Sequence, residues 1–160
     1  MVLALQPRLP FLVAVSGKAA LAHAAQHADI VGLFGLGRTL PDGQRHEVRW
    51  QTSRLDATVD YIRGQAAERS DELELNALVQ RVVVTDDRRA AAEELAASID
   101  GLTQEDALET PYLALGTHAE IAEHLQTCRQ RWGISYFTVR ALEDFAPVIA
   151  RLSEESKLSS

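Results

Sequence analysis

Positive charge is in short supply in this chain. Its 16 lysines and arginines stand against 23 acids, a formal net charge of −7. Nucleic-acid binding needs a basic surface, so no such partner is expected. Cysteine is nearly absent too. Cys128 stands alone, which excludes an internal disulfide and a cysteine-built zinc site. It falls in a helical stretch, reads as a buried inert thiol, and fits a cytoplasmic protein. Long apolar runs are also missing. No stretch reaches the roughly 18 uncharged apolar residues of a membrane span. The apolar start Met1-Val2-Leu3-Ala4-Leu5 lacks the basic flank of a signal peptide, and Pro7, Arg8 and Pro10 follow it. No solenoid-type repeat is present.

What is present is enough apolar material, 46% of 160 residues, for one domain with a real core. The expectation is a single domain over 1–160 with a polar, frayed tail from Ser153 to Ser160. Phe11 to Val15 is short and fully apolar, so a strand buried on both faces is expected, as in a parallel sheet. Ser16-Gly17 ends it. Lys18 to Ala28 carries Leu21, Ala24, Ala25 and Ala28 at helical spacing, and Asp29 to Leu33 reads as a second strand. Phe34 to Gln51 reads as a long irregular loop, of the kind that is functional or disordered.

A helix is expected from Thr52 to Arg69 with Leu55, Val59 and Ile62 inward, then one strand region from Leu73 to Val84. Thr85-Asp86-Asp87 starts a helix from Arg88 to Ser98. A short helix begins at Thr103. Thr117 and Glu120 form a capping box for a helix running to Trp132, with Gly133 as its stop. A fourth strand, Tyr136 to Val139, and a last helix, Leu142 to Leu152, complete the chain. Alternating strands and helices predict an α/β fold with parallel pairing.

Ligands of such folds sit at the carboxyl ends of the strands. The first of those ends is Val15-Ser16-Gly17-Lys18-Ala19-Ala20. A turn of small residues running straight into a helix exposes free backbone N–H groups at the positive end of the helix dipole, and these can cradle a phosphate. Many such turns bind nothing.

Pro10 to Gly17 followed by Leu21 to Asp29 resembles luciferase-like monooxygenases. So do Leu115 to Leu125, beginning Leu115-Gly116-Thr117-His118-Ala119-Glu120-Ile121, and Gly133 to Val139. Asn76 to Ala91 is similar to the deazaflavin-dependent subgroup. The resemblance spans roughly residues 10 to 152. It implies a partial TIM barrel, the C-terminal half, with about four parallel strands and flanking helices. It also implies a flavin or deazaflavin oxidoreductase working on a small molecule, with coenzyme F420 favoured over FMN. Ser16 and Gly17 would match the family's phosphate-binding glycine pair. Ala19 and Ala20 would match the first residues of the helix, binding through backbone amides. Ser16 departs from glycine, so its backbone must be one a non-glycine residue adopts. Phe34 and Gly37 stand where some members place a threonine and a lysine.

A TIM barrel takes eight strands and about 250 residues. The family's first half, with its usual catalytic side chains, has no counterpart here, so catalytic residues are not assigned and enzyme activity is left open. A lone half barrel would leave two open edges. It would also bare an inward face, expected to include Leu12, Ala14, Ile30 and Phe137. Pairing with a second copy, or with a separate first-half chain, is therefore expected. The competing expectation is a catalytically inert fragment or assembly subunit.

Single residues invite other readings. His23 and His27, four apart, share a helix face, but the glutamate of the zincin pattern is missing, so no metal site is expected. His118 and His124, six apart, do not share a face well. Glu93-Glu94 and Glu154-Glu155 read as solvated helix faces. His46 and Trp50 could touch a substrate, with loop anchoring the preferred reading for Trp50.

Overall fold

The computed structural model describes residues 8–44 and 46–158. In chain order the elements are β1 (Leu12–Ala14), α1 (Lys18–His27), β2 (Ile30–Leu33), β3 (Leu36–Thr39), β4 (His46–Val48) and α2 (Thr52–Ala66). Then come β5 (Glu74–Leu78), β6 (Arg81–Val84), α3 (Arg88–Ser98), α4 (Gln104–Glu109), β7 (Leu113–Gly116), α5 (His118–Trp132), β8 (Ile134–Thr138) and α6 (Leu142–Leu158). Strands β1, β2, β5 and β8 form one sheet in that order, every pair parallel. Among these four, sheet order follows chain order, with the β3–β4 pair inserted after β2 and the β6–β7 pair inserted between β5 and β8. Among the described residues no helix is long and apolar enough to cross a membrane.

Local chemistry sets the helix ends. Asp87 caps α3 by accepting from the Ala90 amide, and Thr103 caps α4 through the Asp106 amide. Both halves of the Thr117–Glu120 capping box are made, and Gly133 closes α5 in the left-handed region at φ 71°. Arg69 donates to the carbonyls of Ala25, Gln26 and Ala28, tying down the last turn of α1. The Asp29 carboxylate accepts from the Phe11 amide and from Arg8, which pins the start of β1 beside β2.

The two faces of the sheet differ. Residues that pair across parallel strands share a face. Leu12 lies opposite Ile30, and Ala14, Gly32, Asn76 and Tyr136 stand in one row. Val31, Leu33, Leu75, Ala77 and Ile134 point the other way, under α1 and α2, and are buried with Leu55, Val59 and Ile62. The inward face is thinner. Leu12 keeps 42% of its surface exposed and Tyr136 43%.

Several expectations need correcting. β1 is not buried on both faces: Leu12 and Ala14, on its inward side, are exposed, because nothing among the described residues covers that side of the sheet there. Phe137 is not inward. The register shift between Leu75 and Asn76 puts Tyr136 in the inward row, while Phe137 packs against the helix-side clusters. The segment after β2 is not irregular: β3 and β4 pair as an antiparallel hairpin. The region from Leu73 to Val84 is two strands. β5 stays in the main sheet and β6 pairs in parallel with β7, a strand the sequence did not reveal. Finally, α6 continues to Leu158, past Leu152 and into the expected tail. Residues 159–160 lie outside the described residues.

Candidate functional site

At the carboxyl ends of β1 and β2 lies a cavity of about 290 Å³. Ser16 and Gly17 form one wall, Phe34 and Gly35 another, and α2 contributes Arg54, Leu55 and Thr58. Arg49, at the end of the β3–β4 hairpin, and Tyr112, just before β7, complete it. The hairpin thus acts as a side wall, which gives the long segment after β2 its place in the site. The volume is at the low end for ligand pockets.

The turn itself is open and needs a glycine. Gly17 sits at φ 91°, ψ 142°, open to glycine alone. A Cβ there would meet nothing within 4 Å, so the conformation and not crowding calls for glycine, and the space over the turn is free. Ser16 keeps a negative φ, since Ala67 is the only non-glycine residue with positive φ among the described residues. The serine is therefore compatible with the turn. α1 has no side-chain cap and no acid in its first turn. Its first intrahelical bond runs from the Leu21 amide to the Gly17 carbonyl, which leaves the amides of Lys18, Ala19 and Ala20 without intrahelical acceptors. Of the four expected cofactor-binding residues, Ser16 and Gly17 line the cavity. Ala19 and Ala20 sit in the adjoining first turn, exposed and outside the lining. Phe34 lines the cavity while Gly37 lies in β3 outside it.

Charge and apolar surface divide the pocket. Arg49 donates through Nε and Nη2 to Glu47 Oε2, at 3.2 and 2.9 Å, and holds that carboxyl below its ordinary range. Arg54 makes no ion pair and no side-chain hydrogen bond among the described residues. Beneath the cavity, Trp50 is buried against Tyr112 with ring centroids 6.4 Å apart. Gly35, at φ 63°, lies so close that a Cβ would come within 2.6 Å of Tyr112 Cε2. Trp50 is thus the anchor of its loop. Burial drives the Tyr112 phenol well above its ordinary value. The composition of this loop drew notice to Trp50; nothing local in the sequence marked Arg54 or Tyr112.

The other candidates stand elsewhere. His23 and His27 contact each other on exposed α1, ring centroids 4.4 Å apart, with no third ligand beside them among the described residues. His46 is exposed and lies 3.3 Å from the Thr39 hydroxyl through Nδ1. His124 is buried in α5 and its Nε2–H donates to the Thr110 carbonyl at 3.0 Å. Cys128 is buried beside it, the thiol pushed up to about 12 by desolvation.

No family model and no curated protein matches the chain. Solved structures do. Long-chain alkane monooxygenase (LadA) superposes with a TM-score of 0.56 at 17% identity, over 91% of this chain and 41% of its own. The coenzyme F420-dependent tetrahydromethanopterin reductase from Methanopyrus kandleri gives 0.55 at 14% identity, over 89% and 49%. Riboflavin lyase (RcaE), with modified FMN and riboflavin, gives 0.59 at 15% identity, over 91% and 43%. At these identities the likeness is one of fold. The neighbours are the luciferase-like and F420-dependent oxidoreductases that the sequence resembles. The chain has the partial TIM-barrel fold expected, and it spans less than half the length of these neighbours.

Proposed function

We propose that this chain is half of a luciferase-like oxidoreductase barrel that holds the phosphate of a flavin or deazaflavin cofactor on the turn from Ser16 to Ala20. One observation carries the reading: an uncapped helix N-terminus opens beside a cavity at the carboxyl ends of adjacent parallel strands. The amides of Lys18, Ala19 and Ala20 and the Ser16 hydroxyl would hold the phosphate oxygens. The bound cofactor would supply hydride or oxygen chemistry. F420 is preferred to FMN on the likeness of residues 76–91 to the deazaflavin-dependent subgroup. Fluorescence titration of the purified protein with F420 and with FMN tests the reading. Saturable binding of either is the expected result, and no binding, with or without a first-half chain, overturns it.

Activity would require the missing half to be supplied. Among the described residues β1 and β8 are the outer strands of the sheet, and with the exposed Leu9, Phe11, Leu12 and Tyr136 this supports pairing with a second copy or with a separate first-half chain. The same open face favours a second reading, an inert assembly subunit. The titration separates the two, because only the first requires cofactor binding.

A further inference from the structure

We infer that Arg54 and Tyr112 select the phosphorylated form of the cofactor, Arg54 as its counter-charge and Tyr112 as a neutral hydrogen-bond donor. The inference rests on the reading of the Ser16–Gly17 turn as a phosphate site. A helix N-terminus offers only about half a unit of positive charge, and a phosphate carries more negative charge than that. Of the two cations lining the cavity, Arg49 already bridges to Glu47. Arg54 stands in the first turn of α2 and lines the same cavity as Ser16 and Gly17; its charge acts on Glu47 at longer range, but no acid among the described residues lies within ion-pair distance of it. Its planar fork of donors suits a phosphate.

Tyr112 supplies an independent observation. Only 3% of its surface is exposed, and a buried tyrosine hydroxyl ordinarily finds a partner. This one bonds to none of the described residues. Nor is it one of the sealed, partnerless polar atoms, which are Trp50 Nε1, Gln51 Oε1, Arg88 Nε and Thr110 Oγ1. Tyr112 lines the same cavity as Ser16, Gly17 and Arg54. Trp50 and Gly35 hold the ring from behind, so the donor is positioned before any ligand arrives. Burial keeps the phenol protonated, so it donates to an anion instead of repelling it. Around it the wall is apolar, with Val15, Leu21, Leu33 and Leu36, and suits the carbon chain leading away from a phosphate.

The test titrates wild type, Arg54→Ala, Arg54→Lys and Tyr112→Phe with F420 and FMN, and with the same compounds lacking phosphate, riboflavin among them. Circular dichroism and thermal melts check that each variant is folded. Arg54→Ala should weaken the phosphorylated forms about tenfold or more and leave the phosphate-free forms unchanged, while Arg54→Lys recovers part of the loss. Tyr112→Phe should cost about three- to tenfold with the same selectivity. Equal weakening of both forms, or no weakening of either, overturns the inference. If wild type prefers the phosphorylated forms and the variants prefer them just as strongly, the turn stands as a phosphate site and only the two side chains are removed from it. If wild type binds none of these compounds, site and side chains fall together.

Discussion

The helix-covered face of the central sheet and its inward face are built from alternate residues of the same four strands, yet they have different fates. On the covered face Val31, Leu75, Ala77 and Ile134 are almost wholly buried. On the inward face Leu12 and Tyr136 stay open, although Asn76 is buried there by donating to the Tyr136 carbonyl and the Thr138 hydroxyl. The difference teaches that these units complete their outer layer by themselves, each strand bringing its own helix. The inner layer is covered only in part: Ile30, Gly32 and Asn76 are buried there, while Leu12 and Tyr136 are not.

The most decisive way to break this comparison is to charge the open face. Leu12→Lys is expected to convert an associated protein into single chains, read by size exclusion with light scattering. A well-folded wild type that is already a dilute monomer would show that the inner face needs no cover. Next in size is the covered face. Ile62 is fully buried, and Ile62→Ala should cost about 2–5 kcal/mol of unfolding free energy in urea. Tyr136→Ser, measured on the dissociated chain, should stay within about 0.5 kcal/mol. Comparable losses at the two positions would erase the distinction between the faces.

At the rim of the covered side, Gly35→Ala meets both a positive φ and the Trp50–Tyr112 pair. It should cost about 1–3 kcal/mol and weaken cofactor binding, checked by melts and by the same titration. The smallest effect lies in the helical layer. Burial holds His124 below its ordinary 6.5, so on acidification the unfolded chain takes up the proton first. The stability tied to this group is complete above pH 6.5 and declines as pH falls below it. The carboxyls of Asp56 and Glu120 are held below their ordinary 3.8 and 4.5, and their contribution is lost only lower. Urea midpoints between pH 7 and 5.5 should therefore fall, and the slope should flatten in His124→Gln.

The helices were legible because their signals are local. Arg88 to Ser98 begins and ends where its Asp87 cap and alanine run place it. Thr117, Glu120 and Gly133 mark both ends of α5. Strand partners are a different matter. β7 is only four residues long and follows Pro111, and its hydrogen-bonding partner β6 lies beyond two helices. The face of Phe137 depended on a register shift against β5, which no pattern within β8 records. The site divides in the same way. Ser16 and Gly17 announce a turn in consecutive residues. Arg54 and Tyr112 join it only through folding, from a helix and a strand entrance far along the chain.

A sheet whose order repeats its chain order also sets a schedule. β1 and β2 are joined by one short helix, so their pairing closes the smallest loop and has the lowest entropic cost. β5 and then β8 can join only as later stretches collapse. The cavity draws on distant parts of the chain: its turn follows β1, while Tyr112 stands just before β7, beyond α3 and α4. A ligand that needs both therefore reports a finished fold, and its binding draws late-arriving segments toward the native arrangement by mass action.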